Sequence, residues 1–328
     1  MSEKLQNTSA FFFLFAGFHG FLLFSVFSLM TNSPDIRIGT MAGKGLRTAE
    51  YISKILPHGF ESFEIQFPGR VDDLDLPALA KEVAGVLKRS DAIVSCIAIY
   101  GNPLGDEPKD ALCREGWLEC IENAHHFGTD LVCGFSGRVR GKPIPDSIPR
   151  LKEVFTPLLE RAQKLGVRIA FENCPMGGDW RSGDWNIAIN PSAWELMFEA
   201  LPFDNLGLEW EPCHQMCQLI DPMPQLRKYA KRIFHIHGKD AKVLWDVVER
   251  EGIIGPNIFA FHKHPGLGDS NWTRIIEELR KAGFRGSIDI EGWHDDVYKG
   301  ELEMTGQVHA LNYLRACRLN HVANPEGF

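Results

Sequence analysis

Two histidines, a lysine and an aspartate lie close together in segment 232–240, which reads RIFHIHGKD. Its apolar residues predict a short buried strand, and because side chains alternate along a strand, His235 and His237 should lie on one face. The carboxyl end of such a strand is where (β/α)₈ barrels and open α/β sheets keep their reactive groups. A purely structural interpretation remains open, in which one imidazole bonds a buried carbonyl while Lys239 and Asp240 form a solvent-exposed ion pair.

Three other predicted strands end in carboxylates that should point into the same space. Glu172 closes the fifth predicted strand, and the sixth carries Glu209 and Glu211 on one face. The eighth carries Asp289 and Glu291 on one face. Buried carboxylates repel one another unless a cation lies between them, so the pattern predicts a divalent metal. Oxygen-rich ligands with open water positions favour Mn²⁺, Mg²⁺ or Co²⁺ over a structural Zn²⁺; separate salt bridges to basic side chains are the alternative.

The elements that would position these groups alternate regularly along the chain. No linker rich in Pro, Gly or Ser divides it, and about 250 residues is the usual size of a (β/α)₈ domain. We therefore predict an α/β fold, a single-domain closed (β/α)₈ TIM barrel. A doubly wound open sheet is the rival, but segment 39–45 lacks the glycine spacing of a phosphate-binding turn. The predicted strands are 36–41, 63–67, 92–100, 130–135, 167–172, 206–211, 233–237 and 287–291.

Charge and cysteine spacing restrict the class of protein. The 328 residues carry a net charge of −8, so the chain lacks the positive field that gathers phosphates, and nucleic acid is not an expected partner. Eight cysteines are present, with no Cys-x-x-Cys pair among them. We expect reduced cysteines in the core, and neither a disulfide framework nor a zinc ribbon.

Residues 1–30 form a hydrophobic leader ahead of the barrel domain predicted over 31–328. Segment 10–30 contains no Asp, Glu, Lys or Arg and is about long enough to cross a bilayer. Three interpretations remain: an over-long reading frame with the working start near Met30, a secretory signal, or a membrane anchor. The first predicts a cytoplasmic protein, whereas the others predict export or membrane attachment.

Five motifs follow one another along the chain. They are AFENCP around Glu172, Glu211-x-x-His214, the segment from His235 to Asp240, HPGLGDSNW from His264 to Trp272, and Ile-Asp-Ile-Glu291. With these motifs in this order, the chain resembles, from about residue 36 to residue 319, the sugar phosphate isomerase/epimerase family, the xylose-isomerase-like barrels that include D-tagatose 3-epimerase. The family usually has Asp where this chain has Glu211.

The resemblance implies one bound divalent metal, with Mn²⁺ as the first candidate and Mg²⁺, Co²⁺ or Zn²⁺ as alternatives. It implies that Glu172 and Glu291 are the catalytic acid and base as well as metal ligands. The implied ligand set is Glu172, Glu211, His237 and Glu291. The loop 176–185 is predicted to be a lid over the sugar, with an ordinary surface loop as the alternative. The predicted substrate contacts are His214, Lys239, His264, Trp180 and Trp185.

The implied reaction is proton abstraction next to the carbonyl of a ketose or keto-glycoside, through an enediolate, as in a sugar isomerase or epimerase. One alternative is a metal-dependent lyase or dehydratase that expels a β substituent from a keto-sugar or inosose. Another is a phosphodiesterase similar to endonuclease IV, which the acidic charge opposes. A non-catalytic sugar-binding protein would not need two glutamates flanking one metal. The expected partner is a small carbohydrate, and a homo-oligomer is compatible with the sequence.

Overall fold

The computed structural model describes residues 34–43, 45–71 and 74–319. The leader predicted over residues 1–30 lies outside these ranges. Within the part of the chain that is described, no helix combines the length and the apolar character needed to cross a membrane.

Eight parallel strands close into a barrel, and a separate antiparallel pair stands beside it. The strands are β1 (Arg37–Ala42), β2 (Ser62–Phe67), β3 (Ile93–Ile99), β4 (Leu131–Gly134), β5 (Arg168–Glu172), β6 (Leu206–Trp210), β7 (Ile233–Gly238), β8 (Asp240–Val243), β9 (Ala260–Lys263) and β10 (Ser287–Ile290). Their order around the barrel is β1-β10-β7-β6-β5-β4-β3-β2, with β10 and β2 both pairing with β1. The predicted closed (β/α)₈ barrel is confirmed, and the open-sheet alternative is wrong.

Helices connect the strands and cover the outside of the barrel. They are α1 (Thr48–Ile55), α2 (Leu76–Leu87), α3 (Pro108–Asn123), α4 (Ile144–Lys164), α5 (Pro191–Ala200), α6 (Pro212–Met216), α7 (Pro222–Tyr229), α8 (Trp245–Glu251), α9 (Trp272–Lys281) and α10 (Glu303–Arg318). Helix α9 shows how the sequence sets their orientation. The Asn271 side chain caps it by accepting from Arg274 N at 3.0 Å. Its buried residues recur at helical spacing and form one stripe: Trp272, Ile275, Ile276 and Leu279.

The core between barrel and helices fixes which side chains face inward. On β5, Phe171 packs edge-on against Phe155 of α4 at 4.7 Å and against Trp117 of α3 at 6.0 Å between ring centroids. Each such pair is worth about 0.5–1.5 kcal/mol beyond the apolar area that it buries. Because side chains alternate along a strand, anchoring Phe171 to the helices turns the next residue, Glu172, into the barrel.

The hairpin formed by β8 and β9 does not belong to the barrel and was not predicted. Asp240 pairs with Lys263 and Ala241 with His262, in antiparallel register. Each strand has only four residues, and every residue of β9 is half-buried, so the sequence shows no strong alternation there. The hairpin follows directly on β7 and therefore covers the barrel rim beside the histidine strand.

Candidate metal centre

Four side chains meet at the carboxyl end of the barrel. Glu172 ends β5, Glu211 follows β6, His237 lies in β7 and Glu291 follows β10. All four are buried, and one ligand atom from each lies within 4.8 Å of the others. The structure thus brings together the whole set for which metal ligation is predicted.

The oxygens of this cluster are incompletely hydrogen-bonded. Both carboxylate oxygens of Glu211 and Oε2 of Glu291 make no hydrogen bond with any described residue. Lys239 Nζ lies 3.8 Å from Glu211 Oε2, and His214 Nε2 is in close contact with Glu211 Oε1. A buried carboxylate oxygen without a hydrogen bond is costly, and a divalent cation satisfies several such oxygens at once. The donor set, three carboxylates and one imidazole, fits a hard or borderline ion.

Lys239 is the cation that the chain itself places beside the cluster. Its Nζ lies 2.9 Å from Glu291 Oε1 and 3.4 Å from His214 Nε2, and the side chain is buried. Asp240 turns away from it: Asp240 accepts from Ser270 N at 3.0 Å and from Trp272 Nε1 at 3.1 Å. The alternative of an exposed Lys239–Asp240 ion pair is therefore wrong.

The two carboxylates closest to His237 Nδ1 have different environments. Glu172 Oε1 lies 3.2 Å from that nitrogen and Glu291 Oε2 3.5 Å from it. Burial raises the pKa of Glu172 to about 7, with the hydrogen bond to His237 acting in the other direction. Burial also acts to raise the pKa of Glu291, but the charge of Lys239 and the hydrogen bond of His294 outweigh it and hold that pKa well below its usual range. Carboxyl groups whose pKa values are pushed apart are suited to separate acid and base roles.

His214 is held neutral. Burial first, and then the positive charge of Lys239, lowers the pKa of His214 well below its usual range. Its ring packs edge-on against His262, with 5.3 Å between centroids. A neutral imidazole at this place can donate a hydrogen bond to a substrate oxygen without adding charge.

A second layer of polar side chains lies deeper in the barrel, beneath His237. His235 Nδ1 lies 2.9 Å from Glu209 Oε1, and His235 Nε2 lies 2.9 Å from Asp289 Oδ2. The hydroxyls of Ser62 and Ser95 donate to Asp289 as well. Glu209, which the sequence predicts on the same face as Glu211, is thus engaged in this layer.

Glu64 and Tyr100 join the two layers, and sequence reasoning missed both. Glu64 Oε2 lies 2.9 Å from His237 Nε2, and the Tyr100 hydroxyl oxygen lies 2.7 Å from Glu64 Oε1 and 2.9 Å from Glu209 Oε2. The signal for Glu64 was present, since the alternation of Phe63, Ile65 and Phe67 in β2 leaves Glu64 on the opposite face. Together they orient His237 so that Nδ1 faces the four-residue cluster.

Gly39 of β1 makes room for the deeper layer. A Cβ at this position would lie 2.1 Å from the Ser62 carbonyl oxygen and 2.2 Å from Asp289 Oδ1. No side chain fits at such distances, so the close approach of Asp289 to β1 requires glycine.

The predicted lid, residues 176–185, is tied to the neighbouring loop through its backbone. Buried Arg138 donates to the carbonyl oxygens of Asp179 at 2.6 Å and Lys142 at 3.0 Å. Trp180 and Trp185 are each 37% exposed, and Lys109 Nζ lies 5.9 Å from the Trp185 ring centroid. A role of the two indoles in covering a sugar stays a prediction.

His264 is enclosed by a different set of residues. Its ring is fully buried, Nδ1 lies 3.4 Å from Asp295 Oδ2, and the Tyr298 ring packs edge-on at 6.4 Å between centroids. Gly292 and Gly306 leave space for the ring, because a Cβ at either position would lie within 2.6 Å of it. The predicted contact of His264 with substrate remains untested.

Comparison with known proteins identifies related chains. Residues 52–317 match the model of the xylose isomerase-like TIM barrel family. The rhizopine catabolism protein MocC of Rhizobium meliloti is 29% identical over 168 residues, which are 49% of this chain and 44% of MocC. The chain therefore spans less than half the length of that relative. The uncharacterized protein YfiH of Bacillus subtilis is 22% identical over 243 residues, 64% of this chain and 74% of YfiH.

Solved structures with the same fold include sugar epimerases. An L-ribulose 3-epimerase superimposes with a TM-score of 0.64 at 18% identity, covering 86% of this chain and 94% of the epimerase. The 3-keto-D-glucoside 4-epimerase YcjR of E. coli gives 0.61 at 15% identity, covering 86% and 100%. At these identities the likeness shows a shared fold.

Proposed function

The chain belongs to the xylose isomerase-like TIM barrel family, and from this premise we propose that it is a metal-dependent sugar isomerase or epimerase. Its substrate would be a ketose or a keto-glycoside, and the reaction would begin with removal of a proton next to the carbonyl. One observation carries the proposal: Glu172, Glu211, His237 and Glu291 converge at the carboxyl end of the barrel, while buried oxygens of two of them make no hydrogen bond with the described residues. The ketose and keto-glycoside epimerases among the structural neighbours support it.

The four converging residues would hold one divalent ion, with Mn²⁺ as the first candidate and Mg²⁺, Co²⁺ or Zn²⁺ as alternatives. Such an ion supplies Lewis-acid polarisation of a carbonyl, which makes the adjacent C–H acidic. His237 directs Nδ1 toward the other three residues because its Nε2 is hydrogen-bonded to Glu64. Orientation of a ligating imidazole through its second nitrogen is a usual feature of protein metal sites.

Glu172 and Glu291 would move the proton. One carboxylate accepts it from carbon, and the other returns a proton to the opposite face, which inverts the carbon, or to the neighbouring carbon, which moves the carbonyl. Lys239 occupies Glu291 Oε1 and leaves Oε2 facing the cluster. Lys239 and His214 would donate hydrogen bonds to substrate oxygens on which negative charge develops.

The decisive experiment is hydrogen exchange with solvent. We would incubate the Mn²⁺-loaded protein with a panel of ketoses and keto-glycosides in D₂O and follow the products by NMR and mass spectrometry. Deuterium uptake at the carbon next to the carbonyl, without loss of a group, is the expected result. Loss of a β substituent would make the protein a lyase or dehydratase instead. Absence of both from every metal-loaded sample would refute the proposed chemistry.

A further inference from the structure

Two thiols and an imidazole form a cluster that the sugar chemistry does not use. Cys213 in α6 and Cys217 just after it lie one helical turn apart, on one face of that segment. His262 reaches them from β9 of the hairpin. One donor atom from each lies within 4.8 Å of the other two. Both cysteines are free thiols.

None of the three separations exceeds 4.8 Å, which is compatible with closure around a tetrahedral ion. With Zn–S bonds of about 2.3 Å and Zn–N bonds of about 2.0–2.1 Å, two sulfurs lie about 3.8 Å apart and sulfur and nitrogen about 3.6 Å apart. A movement of about 1 Å or less per side chain would close the cluster around an ion. Three protein donors leave the fourth position open to water or a further ligand.

The chemistry of the donors differs from that of the carboxylate cluster. Thiolates and imidazole select thiophilic ions, whereas carboxylates select hard ones. Thiolates are the form that binds the ion, and binding displaces the protons of both thiols. Cys213 is buried, but Cys217 and His262 are only partly buried, so an ion can reach the cluster from solvent.

We propose that Cys213, Cys217 and His262 form a second metal site that binds a thiophilic divalent ion such as Zn²⁺. This site would tie α6 to the hairpin. Helix α6 carries His214, and the hairpin begins directly after Lys239, so the ion would fix the two segments that bring these residues to the metal centre. The inference does not depend on the proposed sugar chemistry.

Cobalt is a suitable probe, because a thiolate bound to Co²⁺ gives an intense near-ultraviolet charge-transfer band that carboxylate ligands do not give. The full-length protein, reduced and preloaded with Mn²⁺, would be titrated with Co²⁺. We expect one equivalent to produce the band. We expect the affinity for Co²⁺ to fall by more than about 100-fold in Cys217→Ser and His262→Gln, since even residues that only support a ligand contribute 10–100-fold. Circular dichroism would confirm that both variants are folded.

Three further variants locate the ion. Cys317→Ser is the matched control, because Cys317 is buried in α10 and belongs to none of the clusters; it should keep the band. Glu172→Gln should also keep it, which separates this site from the carboxylate cluster. Loss of the band in Cys174→Ser, with retention in Cys217→Ser, would overturn the proposal, because Cys174 lies near Glu172 and His214 instead. A wild-type protein with titratable thiols and no band would overturn it as well.

Discussion

The barrel interior holds two layers built from the same residue types, and they differ in how completely their polar atoms are paired. In the deeper layer, His235 contacts a carboxylate through each of its nitrogens. In the upper layer, both oxygens of Glu211 and one of Glu291 lack a hydrogen-bond partner among the described residues. A saturated network stabilises a fold, whereas unsatisfied buried charge indicates a place where something else binds. Residue type alone does not distinguish a structural carboxylate from a functional one.

The largest expected effect lies in the upper layer. Glu291→Gln removes a proposed ligand and proton carrier at nearly constant volume, so turnover should fall by about 10⁴-fold, or about 5.5 kcal/mol of transition-state stabilisation. Deuterium exchange into whichever keto-sugar the wild type turns over measures it. Loss of the charge that pairs with buried Lys239 should also lower the free energy of unfolding, so circular dichroism must show that the variant is folded. Undiminished exchange would remove Glu291 from the mechanism and weaken the contrast between the layers.

In the deeper layer, removal of a polar side chain should lower the free energy of unfolding. His235→Ala leaves Glu209 and Asp289 buried without the imidazole that contacts both, and breaking such a network costs about 4 kcal/mol of unfolding free energy. Urea denaturation measures it, and added Mn²⁺ should not restore the loss. His264→Ala is the control, because it removes another buried histidine without stranding two carboxylates; an equal loss there would mean that volume, not charge, explains the effect.

The packing of the deeper layer against β1 gives a smaller effect. Gly39→Ala forces a methyl group against the Ser62 backbone and the Asp289 carboxylate, which should destabilise the protein by about 2 kcal/mol. Thermal unfolding measures it. Gly85→Ala in helix α2 is the matched substitution, since nothing lies within 4 Å of the added Cβ. It should stabilise the helix by about 0.5–1 kcal/mol, so two changes of the same residue type are expected to have opposite signs.

The smallest expected effect concerns Glu64, where the layers meet. Glu64→Gln keeps an acceptor for His237 Nε2–H but loses its charge, so Mn²⁺ should bind about tenfold more weakly, at the lower end of the range for residues that orient a ligand. Calorimetric titration of the metal-free protein measures it. Exposed Glu50→Gln serves as the control. Unchanged affinity would assign Glu64 to the deeper, structural layer alone.

Most of the barrel could be predicted because its strands are short, buried and alternating. That alternation alone turns Glu172, Glu211 and His237 inward. It could not reveal Glu64 as a partner of His237, since 173 residues separate them and only closure of the barrel brings β2 and β7 face to face. Adjacency in the sequence was a misleading signal as well. Lys239 and Asp240 suggested an ion pair with each other, but Lys239 bonds Glu291 and Asp240 accepts from Trp272.

The hairpin and the thiol cluster were missed for a related reason. Strand β9 has four half-buried residues, and helix α8 separates it from its partner β8. The local sequence therefore shows no strand pattern for either of them. The spacing of Cys213 and Cys217 is visible in the sequence, but their third neighbour, His262, comes from that unpredicted hairpin. A site that includes residues of such a hairpin depends on pairing between strands distant in sequence, and the local hydrophobic pattern does not predict that pairing.

The complete hydrogen bonding of the deeper layer also has a consequence for the order of folding and metal binding. Because its carboxylates are hydrogen-bonded by side chains of the chain itself, the nascent polypeptide should reach its native topology without an ion. If the proposed function is correct, folding and metal loading would then be separate steps, and the supply of metals at the time of loading would decide which ion the protein carries.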